Sequence, residues 1–344
     1  DCAIYACRQG RIDAAPPECV MRGEFPDFES LYDNQRARSM AYHAARVEAA
    51  GYCRWTRLRE VIEFARRVGF QRIGVAHCPD MRRIASRIQR ILTRSSLDAV
   101  MPPQLQPSAQ ASFFAAHDTD LNIIAGMCVA HEVSLIMQSD APIVCLVARD
   151  ERLHHNPAAA LYASHSYLHD ELFGAHPAAA SSDVGGGHPR RSATDFDEAA
   201  ARVRRRAGGR RSRLREAMAV AHQVGARHIG VSYCVGFREE ASRLCRILEA
   251  NGFRVSSVCC KSGAVPKERF GLLDREKVRP GNPEMACNPI AQGRLLNRER
   301  VDLTLILGQC VGHDAATLAE LTGPAVTLVA KDRVLAHNTV AALD

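Results

Sequence analysis

The sequence predicts an α/β protein built from two parallel-sheet units related by internal duplication. Two observations lead there: a long block recurs at a near-constant offset, and within each block short apolar runs alternate with amphipathic helix patterns. Thr56 to Glu60 reads Thr-Arg-Leu-Arg-Glu, and Ser212 to Glu216 reads Ser-Arg-Leu-Arg-Glu, 156 residues later. At the same offset, Arg72 to Cys78 matches His228 to Cys234, and Ile91-Leu92 matches Ile247-Leu248. Asp120 to Cys128 then matches Asp302 to Cys310, His131 matches His313, Asp150 matches Asp332, and His155-Asn156 matches His337-Asn338, now 182 residues apart. The second copy therefore carries 26 extra residues between Leu248 and Asp302.

The second copy predicts its elements most clearly. Leu214 to Val224 reads as a helix and Ile229 to Tyr233 as a buried strand. Arg238 to Asn251 is a helix stopped by Asn251-Gly252, and Phe253 to Val258 is a strand. Pro289 to Asn297 is a helix with Asn288 as its cap and Pro289 in its first turn. Leu303 to Leu307, His313 to Leu321 and Ala325 to Val329 complete the series as strand, helix and strand. Alternation of this kind means βαβ units and a Rossmann-like sheet covered on both faces. No Gly-x-Gly-x-x-Gly follows any strand and no P-loop is present, so the usual nucleotide fingerprints are missing. The chain divides into a cysteine-containing lead-in (1–53), a divergent first repeat (54–162), an Ala/Gly/Arg-rich linker (163–211) and a second repeat (212–344). The linker has Gly185 to Gly187 as its most flexible point and one short helix expected around Phe196 to Arg206.

Composition excludes several classes. A chain of 344 residues at 47% hydrophobic and 24% charged has the apolar content of ordinary globular domains, and no apolar run is long enough to span a membrane. The net charge of +7 comes almost wholly from arginine; the only lysines are Lys261, Lys267, Lys277 and Lys331. The densest basic run, Arg202 to Arg215, has no aromatic residues to stack on bases, so it reads as solvated linker and not as a nucleic-acid arm. Thirteen cysteines, an odd number placed mostly at the ends of apolar runs, do not read as a secreted disulfide framework. Reduced thiols in a cytoplasm, used as ligands or nucleophiles, are the expectation.

Ligands of open parallel sheets bind at the carboxyl ends of the strands. In the second copy those ends are Cys234, Cys259-Cys260, Cys310 and Lys331-Asp332, and Cys287 stands just ahead of a helix capped by Asn288. Strands of one sheet end along one edge, so these thiols are expected to converge. Cys234, Cys287 and Cys310 each precede a helix start, where the dipole favours a thiolate. Thiolates are what zinc and iron–sulfur clusters require. Of the adjacent pair, Cys259 and Cys260 point to opposite faces, so one joins the site and the other packs. Gly236, Gly308 and Gly312 are the expected places for close backbone approach of a cofactor. His313 and Asp314 are the candidate proton-handling residues, with Lys331 and Asp332 at the neighbouring strand end, and His337 as a weaker candidate. Cys145 and Cys245 read as core fillers.

The first copy keeps Cys78, Cys128, His131 and His155 but has nothing matching Cys259, Cys260 or Cys287; its two thiols with one histidine are a candidate metal set, and a degenerate, structural copy is the leading reading. The lead-in adds Cys2, Cys7, Cys19 and Cys53 in a spacing that is not a recognised metal motif.

With those residues in hand, the second copy resembles the family known as domain of unknown function 1847, cysteine-rich proteins described as metal-binding. The resemblance rests on Ile229 to Gly236, Val258 to Gly263, Met285 to Gln292, Gly308 to Asp314 and Lys331 to Asn338, and it extends to a cysteine-rich lead-in recognisable in Cys2 to Cys7 and Pro17 to Cys19. It implies metal binding and no particular reaction. The leading expectation is a metal or iron–sulfur centre on the strand-end cysteines, with iron–sulfur and zinc both open and a small molecule or redox partner as its counterpart. The alternative is a metal-free thiol enzyme using Cys234 or Cys310 as nucleophile or redox centre.

Overall fold

The computed structural model describes residues 6–17, 19–21, 31–103, 106, 109–174, 191–207 and 211–343. After a lead-in ending in α1 (Gln35–Gly51), the first unit runs α2 (Arg57–Val68), β1 (Arg72–Ala76), α3 (Arg82–Arg94), β2 (Asp98–Val100), α4 (Gln110–Ala116), β3 (Leu121–Met127), α5 (Val129–Gln138) and β4 (Ile143–Ala148). Two short helices, α6 (Ala158–Tyr162) and α7 (His169–Phe173), and the longer α8 (Ala193–Ala207) follow. The second unit runs α9 (Arg213–Gln223), β5 (His228–Tyr233), α10 (Arg238–Ala250), β6 (Arg254–Cys259), α11 (Pro289–Arg298), β7 (Leu303–Leu307), α12 (His313–Glu320) and β8 (Ala325–Val329).

Each unit is a four-stranded, all-parallel sheet. The orders are β2-β1-β3-β4 and β6-β5-β7-β8, so the second sheet repeats the first, with the strand order reversing between β1 and β3 and between β5 and β7. Local chemistry explains the elements. Thr56 and Ser212, the first residues of the repeated motif, cap α2 and α9 by accepting from Arg59 N and Arg215 N. Asn288 caps α11 through Ala291 N, with Pro289 in the first turn. β3, β5, β7 and β8 are buried along their whole length, as strands covered on both faces must be.

The outer edges, β2 and β6, are the exposed strands; the other edges, β4 and β8, are fully buried because they approach each other. One apolar cluster accordingly runs through both units, from Val133 and Cys145 to Leu214, Met218 and Leu328. Part of the expected linker belongs to this core: α8 packs against α5 and α9 and buries Phe196 and Ala199. Gly185 to Gly187 lie outside the described residues. The extra residues of the second copy form 3-10 turns closed by a Pro266–Met285 bridge, and place Val265, Phe270 and Leu272 against Leu31, Tyr32 and Met40 of the lead-in and α1. Among the described residues no helix is long and apolar enough to cross a membrane.

Two fully buried arginines join the units in a reciprocal way. Arg57, at the start of α2, donates to Cys145 O of its own unit and to Gln309 O, Lys331 O and the Asp314 carboxylate of the other, while its backbone N donates to Asp332. Arg213 repeats each bond at the matching position: Thr327 O in its own unit, then Met127 O, Arg149 O and Glu132 (2.6 Å), with its backbone N on Asp150. Removing one partner of a buried pair strands the other charge, which costs about 3–5 kcal/mol. Arg213→Ala is therefore expected to lower unfolding stability by about that amount in urea titration; a loss below about 1 kcal/mol, the scale of exposed pairs, would contradict the assignment.

Candidate metal centre

The strand ends at the order reversal of the second unit are Cys234, after β5, and Cys310, after β7. The crevice between such strands is where this architecture exposes backbone and helix starts to a ligand. Cys260 follows edge strand β6, and Cys287 is brought back to the same place by the long β6–α11 connection, Asn288 N donating to Cys260 O at 2.7 Å. All four thiols are buried. Their sulfurs form a chain: Cys287 lies 3.7 Å from Cys260, Cys260 bonds Cys234, and Cys234 bonds Cys310. His313, at the first turn of α12, touches both Cys287 and Cys310 and closes the ring. Its Nδ1 is buried without a partner. Glu48 of α1 completes a compact group with Cys287 and His313, the three offering ligand atoms within 4.8 Å of one another.

Cations line this ring. Lys331 Nζ lies 2.8 Å from Cys234 Sγ and 3.4 Å from Cys310 Sγ. Lys261 Nζ lies 3.4 Å from Cys287 Sγ, and Arg333 donates to both Cys310 Sγ (3.2 Å) and Glu48 (3.0 Å). Hydrogen bonds from the thiols of Cys260 and Cys310, with Lys331 adding to them, hold Cys234 well below the usual thiol range despite burial. Cys287 is held down likewise, by the Cys260 thiol and then by Lys261. Cys260 is pushed well above the usual thiol range by its contacts with the sulfurs of Cys234, Cys259 and Cys287 and then by burial. Burial opposes a charge on His313, but its interactions with the sulfurs of Cys287 and Cys310 outweigh it and hold the imidazole well above its ordinary value. The site is thus built for anionic sulfur in a dry setting.

The structure sorts the remaining candidates. Cys260 is the member of the adjacent pair that faces the ring; Cys259 is half-buried on the other face and lines a cavity of about 460 Å³ with Cys7 and Cys19, its sulfur still in contact with that of Cys260. Cys2 lies outside the described residues. The lead-in thus packs on the second unit although it precedes the first in sequence. Both oxygens of Asp314 are engaged: one holds Arg57 and the other accepts from Gly312 N and Ala315 N. Gly308 and Gly312 pack against aromatic rings. Both have positive φ (62° and 81°), and a Cβ on either would strike a phenyl ring, that of Phe237 or Phe64. Gly236 faces open space, with Cys234 Sγ 3.9 Å from where a Cβ would stand. His337 has its Nδ1 occupied by Asp332 N and its ring against Phe237, which makes it a turn-closing residue. Cys145 and Cys245 are buried in the shared core, and burial pushes the Cys245 thiol up to about 11.

Glu48, Arg333 and Lys261 escaped the sequence reading. A signal for the lysine was present: in a chain where arginine does the surface work, all four lysines are buried. A compact ammonium is retained where a guanidinium would not fit.

A family model described as "Protein of unknown function (DUF1847)" matches residues 18–102, 100–146 and 188–328. The chain belongs to this family. The match falls in three segments across both units, consistent with a repeated domain. An uncharacterized protein of Methanocaldococcus jannaschii is 37% identical over 134 residues, which are 39% of this chain and 67% of the relative. Among solved structures, the ligand-free, open form of CD0873, a substrate binding protein with adhesive properties from Clostridium difficile, aligns at 12% identity over 69% of this chain and 65% of that one, with a TM-score of 0.20. Dph2 from Pyrococcus horikoshii with a 4Fe-4S cluster aligns at 11% identity over 80% and 88%, with a TM-score of 0.24. These two are remote likenesses, and nothing about the site follows from them.

His337 supplies a pH test. Burial and then the Lys331 charge lower its pKa from 6.5 to about 4, so the folded protein disfavours the protonated ring. Its contribution is complete above the free-imidazole value and is lost as pH falls towards about 4. Asparagine tolerates the positive φ of 68° at this position, so His337→Asn is expected to show a smaller drop in urea midpoint between about pH 7.5 and about pH 4.5 than the wild type. Equal drops would contradict the role.

Proposed function

We propose that the second unit holds a thiolate-ligated metal centre, an iron–sulfur cluster or zinc, on Cys234, Cys260, Cys287 and Cys310. The observation that carries this reading is the continuous row of contacts among four buried thiols from four chain segments, with His313 Nδ1 orphaned beside them. The donor chemistry fits: soft thiolates select zinc and iron–sulfur clusters, and four of them make an anionic centre that Lys261 and Lys331 are placed to neutralise. A cluster would supply electron transfer or substrate binding at iron, and zinc would supply Lewis acidity or a structural clasp. His313 would serve beside the centre as ligand or proton donor, and a small molecule or redox protein would be its counterpart.

Protein purified without oxygen is expected to contain stoichiometric iron with matching acid-labile sulfide and a broad visible absorption, or else stoichiometric zinc. Cys310→Ser is expected to lose that metal while its far-UV circular dichroism stays native. Unchanged metal content in Cys310→Ser would overturn the reading.

One observation favours a second reading, a metal-free thiol enzyme: the 2.8 Å contact of Lys331 Nζ with Cys234 Sγ is what would hold a reactive thiolate. In that case the purified protein is metal-free, one cysteine alkylates rapidly at neutral pH, and Lys331→Met slows that alkylation by about tenfold or more as the thiolate fraction falls. Protected thiols and bound metal would exclude it.

A further inference from the structure

The first unit repeats the strand-end chemistry in reduced form. Its order reversal lies between β1 and β3, and the residues just past them are Cys78 and Cys128. His131 stands in the first turn of α5, with Cys128 as the residue that starts the helix. The His131 Nδ1 lies 3.0 Å from Cys128 Sγ and 3.8 Å from Cys78 Sγ, and all three ligand atoms lie within 4.8 Å of one another. A tetrahedral zinc ion with bonds of about 2.3 Å to sulfur and about 2.0 Å to nitrogen sets such atoms roughly 3.5–3.8 Å apart. The two sulfur–nitrogen distances need only sub-ångström adjustment to accept the ion.

The neighbours of this group differ from those of the second unit in the way a small site requires. Where Lys331 stands between the two strand-end thiols of the second unit, the matching residue here is Arg149, whose guanidinium is engaged with Asp80 and Glu151. An imidazole, a metal ligand, takes the place between the sulfurs that an ammonium takes in the other unit. A backbone N–H is directed at one of the sulfurs, Cys128 N donating to Cys78 Sγ at 3.4 Å. The counterparts of Cys260 and Cys287 are missing, and with them the donors for a four-thiolate centre.

We propose that Cys78, Cys128 and His131 bind a single zinc ion, separate from the centre of the second unit, with its fourth position left to water or a small-molecule ligand. Two thiolates and one imidazole exclude the hard cations magnesium and calcium and suit zinc. Three protein ligands with an open position is the donor arrangement of catalytic zinc; structural zinc sites are closed by a fourth protein ligand. His131 is the partly exposed member, which puts the open position towards its side of the site. On this geometry the first copy is a second site with a different donor set.

The test measures zinc and iron in the full chain after equilibration with a small excess of zinc and dialysis, for the wild type, His131→Ala and Cys310→Ser. His131→Ala is expected to lose one zinc per chain and to retain the metal of the second unit; Cys310→Ser is expected to retain that zinc. A wild type without zinc, or His131→Ala with the full wild-type zinc content, overturns the proposal. Loss of the same metal in both variants also overturns it, because a single shared centre would then account for both. Should His131→Ala fail to fold, cobalt substituted into Cys310→Ser gives the answer without it. Absorption of a tetrahedral ion with two thiolates is expected there, and the intensity of four thiolates, or no tetrahedral signal, overturns the proposal. Failure here leaves the second-unit reading standing, since that one is judged by the metal lost from Cys310→Ser.

Discussion

Arg57 and Arg213 are the constraint on which the arrangement of the protein depends. A guanidinium carries five donors and cannot shed its charge, so burying it requires an acceptor for every direction it points. Each arginine finds one carbonyl in its own unit and its other partners in the opposite unit, at the ends of a central strand and the buried edge strand beside it and on a carboxylate of the helix between them. Neither unit can satisfy its own arginine. The demand for mutual satisfaction fixes how the two sheets meet, buries β4 and β8 against one another, and turns both sets of strand ends towards helix starts supplied by the partner unit. Asp150 and Asp332 are explained by the same contact, each accepting from the backbone N of the other unit's arginine.

The strand ends inherit a dry environment from this interlock, and the two units fill it differently. In the second, four thiols share the space with Lys261, Lys331, Arg333 and His313, so that anionic sulfur is compensated from several sides. Burial makes unpaired thiolates expensive, and the thiols of Cys145 and Cys245, which have no such cations bonded to them, are pushed up instead. Cys234 and Cys287 are held down by donors and cations despite equal burial. The contrast separates cysteines that fill a core from cysteines that carry charge. In the first unit the same backbone positions carry Cys78, Cys128 and His131, and the arginine that replaces the lysine is drawn off to Asp80 and Glu151.

Much of this was legible because strand ends and helix starts are local features. The residues Leu303–Leu307 and Ala325–Val329 form strands with the expected bounds, and Asn288 and Pro289 open their helix as their side chains dictate. Convergence of Cys234 and Cys310 followed from parallel-sheet topology alone. The choice between Cys259 and Cys260 did not, since alternation says that two neighbours face opposite ways and not which face holds the site. Glu48 was beyond reach for a different reason. It sits on a helix of the lead-in, 239 residues before Cys287, and nothing in its local sequence marks it. Nor did the sequence show that Gly308 and Gly312 pack against phenyl rings, since positive φ and lack of a side chain are equally useful beside a phenylalanine ring and beside a ligand.

By itself the sequence determined the duplication, the parallel sheets and the strand-end position of the thiols, because repeat offsets, apolar periodicity and capping residues act within a few turns of chain. The tertiary structure decided which charges meet those thiols, which of two adjacent cysteines turns inward, and that the lead-in and the inserted loop close over the second unit. Those outcomes depend on desolvation and on the pairing of buried charges brought together from distant segments, and the energy of such a pair belongs to the assembled interior and to no stretch of the chain.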